Sequence, residues 1–310
     1  MPDSPTSPFD TPITLSGPLR APRQMLATQH YDGHTSIHDG AMAEQLGFKG
    51  APIEGPTHFS QLEPLLYSLW GRRFYEHGCI SAHYKNMVVE GDEVRAAVSG
   101  PLGSSSVQLH AEKKDGTPVL EGTASVGPEH GETELSRRMA KLRPPDKLVI
   151  LRDVKLGDRG AEIEHVCMGL QQHLGAMYPF TLADKLAKIT ERCAWSTPEG
   201  GMRSPWGRQI IPFEMICVLA QYTADRARFK LRTPHVGLFA DLEIRMLDGP
   251  LFVDQRYELE REIVGLSDSR RTESYWVRTV IREPDRGKAV AETLLNHAAM
   301  KDSFPGYAAG

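Results

Sequence analysis

Cysteine is scarce. Four thiols, Cys79, Cys167, Cys193 and Cys217, are spread through 310 residues, and no Cys-x-x-Cys pair occurs. That spacing supplies neither a zinc ligand set nor a disulfide framework, so reduced, buried thiols are expected and no metal site is. Long apolar runs are missing as well: none approaches the ~18–20 residues that a membrane span requires. The opening residues Met-Pro-Asp-Ser-Pro-Thr-Ser-Pro lack the basic and apolar regions of a signal peptide. Charge of one sign is not in excess: 36 Lys and Arg stand against 40 Asp and Glu, a net charge of −4. A general nucleic-acid or polyanion binder would be basic, so neither a nucleic acid nor a membrane is expected as a partner. A local basic pocket for a phosphate stays open. No Gly-x-Gly-x-x-Gly and no P-loop occurs, and no cofactor is expected. These absences point to a cytoplasmic protein.

What is present is a repeated pattern. Residues 1–20 hold five prolines and read as a flexible or extended arm. Arg23 to His30 could be a first strand or a helix, followed by a turn at Gly33. Asp39 can cap a short helix over Ala41 to Leu46, stopped by Gly47. Gly55 and Pro56 open a longer helix in which Phe59, Leu62, Leu66 and Leu69 share one face. Pro64 lies inside that helix and should kink or interrupt it. Strands follow at 79–89, 94–98, 107–112 and 119–126, a meander of antiparallel strands after one helix. A curled antiparallel sheet wrapped on a central helix, the hotdog fold, has this order.

Residues 128–147 are polar and hold the pair Pro144-Pro145, which suits a linker with a helical piece at 132–141. The order then repeats. Leu148 to Val154 and Glu162 to Cys167 read as strands. Phe180 to Trp195 reads as helical, with Asp184, Lys185 and Lys188 on a solvated face. A second apolar helix starts at Phe213, and strands follow at 236–246, 251–262, 272–282 and 288–296. Pro56 and Pro212 lie 156 residues apart, and Gly78 and Gly237 lie 159 apart. Two copies of one unit fit that spacing. The expected fold is α+β, a double hotdog: arm 1–20, first repeat 21–127, linker 128–147, second repeat 148–310.

The residues Ile37-His38-Asp39, Ala43, Gly47-Phe48, Gly50, Pro52-Ile53 and Gly55 resemble the MaoC-like hydratase/dehydratase family. So does Gly78 with the strand leading to Val88-Val89-Glu90-Gly91-Asp92. The similarity covers residues 30 to 126, and the whole chain resembles double-hotdog members in which one half stays active. The resemblance implies a dehydratase or hydratase in which an Asp and a His act on an enoyl thioester and its 3-hydroxy product. The thioester would carry coenzyme A or phosphopantetheine, and the chain would pair as a homodimer. The family pattern is Asp-x-Asn-Pro-x-His. His38 carries over as the His. Five positions before it stands Gly33; Asp32 is one further, and no Asn-Pro lies between. Many members have His-Gly where this chain has Glu54-Gly55.

That chemistry needs a base for water, an acid for the α-carbon and a donor for the enolate oxygen. His38 is the candidate acid/base, with Asp32 or Asp39 as partner; for Asp39, capping alone is the favoured role. A helix N-terminus presents free N–H groups and the positive end of the helix dipole. Pro56 has no N–H, so the oxyanion donor would be Gly55, Thr57 or the residue after it. Glu54 is either a replacement acid or base or, the favoured reading, a surface or salt-bridged side chain. His58 and His34 complete the candidate substrate contacts. His30, His34 and His38 would bind a metal only on a helix, which Gly33 opposes. Trp195 and Trp206 read as core before they read as an acyl tunnel. A thioesterase, a lyase on a small non-thioester substrate and a non-catalytic acyl-binding protein stay open as alternatives.

Overall fold

The computed structural model describes residues 11–307. Ten strands form one antiparallel sheet. β1 is Ile13–Ser16, and a two-residue hairpin follows, β2 His30–Tyr31 and β3 His34–Thr35. The first-half meander is β4 Gly78–Tyr84, β5 Val94–Gly100, β6 Ser106–Lys113 and β7 Pro118–Val126. The second half supplies β8 Glu164–Cys167, β9 Gly237–Met246, β10 Arg256–Asp268, β11 Thr272–Glu283 and β12 Lys288–Met300. The sheet order is β1-β5-β6-β7-β4-β9-β12-β11-β10-β8. Outward from the central β4–β9 pair, both directions use corresponding strands in the same sequence. The sheet is therefore a pseudo-two-fold repeat, joined where Ile80 faces Ile244 and Ala82 faces Leu242.

Seven α-helices accompany the sheet among the described residues: α1 Gly40–Gln45, α2 Phe59–Trp70, α3 Arg72–His77, α4 Glu134–Met139, α5 Leu182–Lys188, α6 Pro198–Gly201 and α7 Phe213–Gln221. A 3-10 turn, Gly55–His58, leads into α2. The buried face of α2 is Phe59, Leu62 and Leu66, each fully covered. Burying each such side chain is worth ~1.5–3 kcal/mol, so the three together exceed the ~3 kcal/mol cost of one interior proline. Hence α2 runs through Pro64 without interruption. α7 is buried at every position, and Phe74 from α3 stacks on its Phe213 with ring centroids 4.9 Å apart. Trp195 and Trp206 pack edge to face with buried Tyr75 and with each other, and Tyr67, exposed at the margin of the core, packs edge to face on Trp195.

Several expectations change. Within the arm, residues 13–16 pair with β5 as an edge strand; residues 1–10 lie outside the described residues. Residues 23–29 form neither a strand nor a helix. Leu148 to Val154 is a turn, not a strand. Its Val149 and Leu151 N–H groups donate to the Glu273 carboxylate at 2.7 and 2.9 Å, which replaces a strand neighbour. Its apolar side chains pack on Ile263, Tyr275 and Val277. The α5 face is not solvated at Lys185, which is 3% exposed. Among the described residues no helix is long and apolar enough to cross a membrane.

Gly122 pairs with Ala82 across β4 and β7, and a Cβ there would overlap the Ser81 carbonyl oxygen. Backbone cannot yield as a side chain does. Gly122→Ala should therefore destabilise the fold by ~3 kcal/mol or more, read as a lowered midpoint of urea unfolding.

Candidate functional site

A cavity of about 450 Å³ lies between the sheet and the helices, walled by both halves. The first half contributes Asp32, His38, Glu54, Gly55, His58 and Tyr84; the second contributes Tyr178, His235, Tyr275 and His297 among others. Five of the residues singled out in the sequence, Asp32, His38, Glu54, Gly55 and His58, thus border one space.

His38 follows the β2–β3 hairpin and precedes α1. Its Nδ1 lies 2.7 Å from the Pro52 carbonyl oxygen. A carbonyl only accepts, so Nδ1 carries the proton and Nε2 of the neutral ring carries the lone pair. Nε2 has no hydrogen-bond partner among the described residues and is not sealed from the cavity. Burial pushes the imidazole down to about 4, against the opposing effect of the Pro52 carbonyl. The ring is neutral at pH 7 and able to take a proton.

The expected Asp partner is not beside it. Asp32 and Gly33 form the hairpin tip with φ of 52° and 79°, the left-handed pair that a two-residue hairpin turn favours. The Asp32 charge acts on Tyr31, His235 and Tyr275 instead of on His38. Asp39 caps α1, its Oδ1 accepting the Met42 N–H at 2.9 Å, and it does not border the cavity. His34 also lies off the cavity, with Nδ1 donating to the Thr35 carbonyl at 2.8 Å. The three histidines 30, 34 and 38 fall on a hairpin and a loop, and no metal-holding cluster of His, Cys, Asp and Glu occurs among the described residues.

Gly55 begins the 3-10 turn, and its N–H donates to no acceptor among the described residues. The Gly55 Cα packs on the Tyr84 ring, where an added Cβ would lie 2.7 Å from Cζ, so a side chain is excluded. Thr57 is not a free donor: its N–H goes to the Glu54 carbonyl at 3.2 Å, and its Oγ1 accepts from Lys185 Nζ at 2.9 Å.

Glu54 is not on the surface. It is 4% exposed, and its Oε1 has no hydrogen bond. Burial pushes its carboxyl up, while the Lys185 charge and the Tyr178 hydroxyl act the other way. Burial of His58 pushes its imidazole down to about 4, and its Nδ1 is unpartnered. Lys185 is the residue that the sequence reading most misplaced. Its Nζ also lies 3.4 Å from Glu214 Oε1, a looser contact than a good hydrogen bond. Burial pushes Glu214 up to about 7, with Lys185 opposing. No period-3.6 argument distinguishes a snorkelling lysine from a buried one; the only hint was the surplus of Glu at 54, 63 and 214 on segments that pattern as core. His235 and His297 were missed because they sit on or beside β9 and β12, far from any motif.

These features define a double-hotdog protein with a cavity shared by its halves. The chain superposes with a TM-score of 0.60 and 14% identity on a MaoC-domain protein from Chloroflexus aurantiacus, covering 94% of this chain and 95% of that one. It superposes with a TM-score of 0.51 and 13% identity on a Mycobacterium tuberculosis protein that has a double-hotdog fold, covering 84% and 86%. At these identities the likeness establishes the fold. No protein-family profile matches the chain, and no curated protein matches it in sequence.

Lys185→Met removes the cation that lies against Glu214 and whose charge acts on Glu54. At pH 8 an ionised carboxylate is then left buried and unpaired, at a cost of ~3 kcal/mol. At pH 5 Glu214 is protonated, so the loss shrinks. Urea unfolding of both proteins at the two pH values measures the difference.

Proposed function

We propose that this chain is a hydratase/dehydratase of MaoC-like type, adding water to the double bond of an enoyl thioester or removing it from the 3-hydroxy product. The observation that carries this reading is the convergence on one cavity of a neutral imidazole with a free Nε2, an unengaged helix-start N–H at Gly55 and a buried carboxyl at Glu54. Each supplies one part of the reaction. A water bound at His38 Nε2 loses a proton to it as the oxygen bonds to the β-carbon. The electron pair of the double bond moves through the α-carbon into the thioester carbonyl. The Gly55 N–H holds the resulting enolate oxygen. Protonated Glu54 delivers its proton to the α-carbon and becomes the carboxylate. Dehydration runs the same steps backward.

The raised Glu54 carboxyl suits this assignment, because an ionised carboxylate would oppose the enolate. Lys185, outside the cavity lining, acts on Glu54 through its charge and can then balance the charge left after transfer. Asp32 has no part in this scheme, and Asp39 serves the fold. The substrate handle, coenzyme A or phosphopantetheine, follows from the thioester chemistry.

Turnover of an enoyl-CoA panel, followed at the loss of double-bond absorbance, tests the reading. His38→Ala should lower kcat by ~10²–10⁴-fold, and Glu54→Gln should do likewise. The rate should fall in acid as His38 protonates near pH 4 and fall in alkali as Glu54 ionises above the ordinary carboxylate range. Tight acyl-CoA binding without turnover at any chain length would favour a non-catalytic acyl-binding protein; thiol release would favour a thioesterase.

A further inference from the structure

His38 lacks a carboxylate on its Nδ1, yet its tautomer is held, and the holding group is itself held. The Pro52 carbonyl accepts from His38 Nδ1 at 2.7 Å and also from Gln24 Nε2 at 2.6 Å. The Gln24 amide cannot be turned round. Its Oε1 accepts the N–H groups of both Met25 and Leu26 at 2.9 Å, and an NH₂ group could accept neither. Both lone-pair directions of the Pro52 oxygen are thus engaged, one by the fixed amide and one by the imidazole. On the other side of the peptide, the Ile53 N–H donates to the Val88 carbonyl at 2.7 Å, so the plane of the Pro52–Ile53 peptide is pinned at both ends.

We propose that Gln24 is a positioning residue for the candidate base: through the Pro52 carbonyl it sets the orientation and tautomer of His38. The inference rests on the functional reading above for its kinetic consequence, though not for the tautomer itself. Gln24 does not border the substrate cavity. It lines a separate surface cleft with Arg20, Arg23, Glu90 and Lys188. It therefore reaches the reaction only through the carbonyl. Without it, the peptide can rotate and water from the cleft can take the freed lone pair. The imidazole can then place its proton on Nε2, which leaves no lone pair facing the cavity.

Two variants of the full chain test this. Gln24→Ala removes the clamp. Gln24→Glu keeps the shape and the two accepted N–H bonds but, when ionised, has no proton to donate to Pro52. Nitrogen chemical shifts of ¹⁵N-histidine-labelled protein read the His38 tautomer directly, assigned by its loss in His38→Ala. The expected result in Gln24→Ala is a shift from Nδ1–H toward Nε2–H and a fall in kcat of ~10–100-fold, the usual size for an outer-shell partner, with KM unchanged. Gln24→Glu should lose the same at pH 7 and recover part of it relative to wild type as the pH falls to 5. If Gln24→Ala does not fold, the glutamate variant and its pH response decide.

An Nδ1–H resonance and a kcat that both stay at wild-type values in either variant would overturn the proposal. The two readings fail separately. A tautomer shift in a protein whose wild type hydrates no enoyl thioester keeps the clamp and removes the enzyme assignment. An active wild type, an inactive His38→Ala and an unmoved tautomer in Gln24→Ala remove the clamp and keep the enzyme.

Discussion

The antiparallel pairing of β4 with β9 is the constraint from which the site follows. Those hydrogen bonds make one sheet of two halves and fix their registers to one another, Cys79 to Arg245 through His83 to Asp241. The helices that each half lays on its own sheet must then sit side by side. Because α7 is buried on all faces, its N-terminus meets the flank of α2, where the Phe213 N–H donates to Glu63 Oε1 at 2.8 Å. Tyr75 donates to the other oxygen of the same carboxyl at 3.2 Å. The first half thereby fills the start of the second half's helix with one of its own side chains. Gly55, at the start of the first half's helical segment, has no such plug. A pseudo-two-fold chain ends with one open helix mouth and one closed one, and the cavity lies at the open one.

Burial at this junction also decides the protonation states. Glu54, Glu63 and Glu214 are all buried at this junction; Lys185 lies 3.4 Å from Glu214 and its charge also acts on Glu54. Burial pushes Glu63 up to about 8, with the backbone N–H of Phe213 opposing and the charge of Glu214 adding to the rise. A single ammonium cannot neutralise three carboxylates in a dry interface, and an unpaired buried charge costs several kcal/mol. Burial accordingly raises all three carboxyls, Glu63 to about 8 and Glu214 to about 7. A carboxyl raised by burial is better suited than an ordinary one to act as an acid at a carbon centre. On this reading the charge surplus is not a defect of the core but the source of a usable proton beside the cavity.

Legibility in the sequence tracked the range of the interaction responsible. The two repeats were visible because apolar period and turn residues are local: Phe59, Leu62 and Leu66 mark α2, and Lys114-Asp115-Gly116-Thr117 marks the β6–β7 hairpin. His38 and Gly55, close together in one short segment, both border the cavity. Misreadings occurred where a distant partner satisfied the backbone or the charge. Val149 and Leu151 alternate like a strand, yet Glu273, more than 120 residues away, takes their N–H groups. Lys185 sits between capping Asp184 and exposed Lys188 as any surface lysine would, and only Thr57 and Glu214 from elsewhere draw it inward. The Asp–His pairing failed for the complementary reason. Spacing in sequence placed Asp32 near His38, but the left-handed turn at Asp32 and Gly33 aims that loop toward the second half.

The substitution of a carbonyl for a carboxylate behind His38 has a physical consequence of its own. An Asp on Nδ1 would stabilise the imidazolium and raise the basicity of Nε2. A neutral carbonyl fixes the proton on Nδ1 but offers only a partial charge, so the cost of burying a cation dominates and the ring stays weakly basic. A weak base returns its proton readily. In the proposed cycle the imidazolium formed when water is activated is short-lived, and the same ring is a strong acid toward a departing hydroxyl. Elimination of water from a 3-hydroxyacyl thioester asks for that acid, whereas addition asks for the base. With the ring neutral and the Glu54 carboxyl raised by burial, the resting protonation states of the proposed cycle are those that water addition uses, and elimination would draw on the minor imidazolium form of His38.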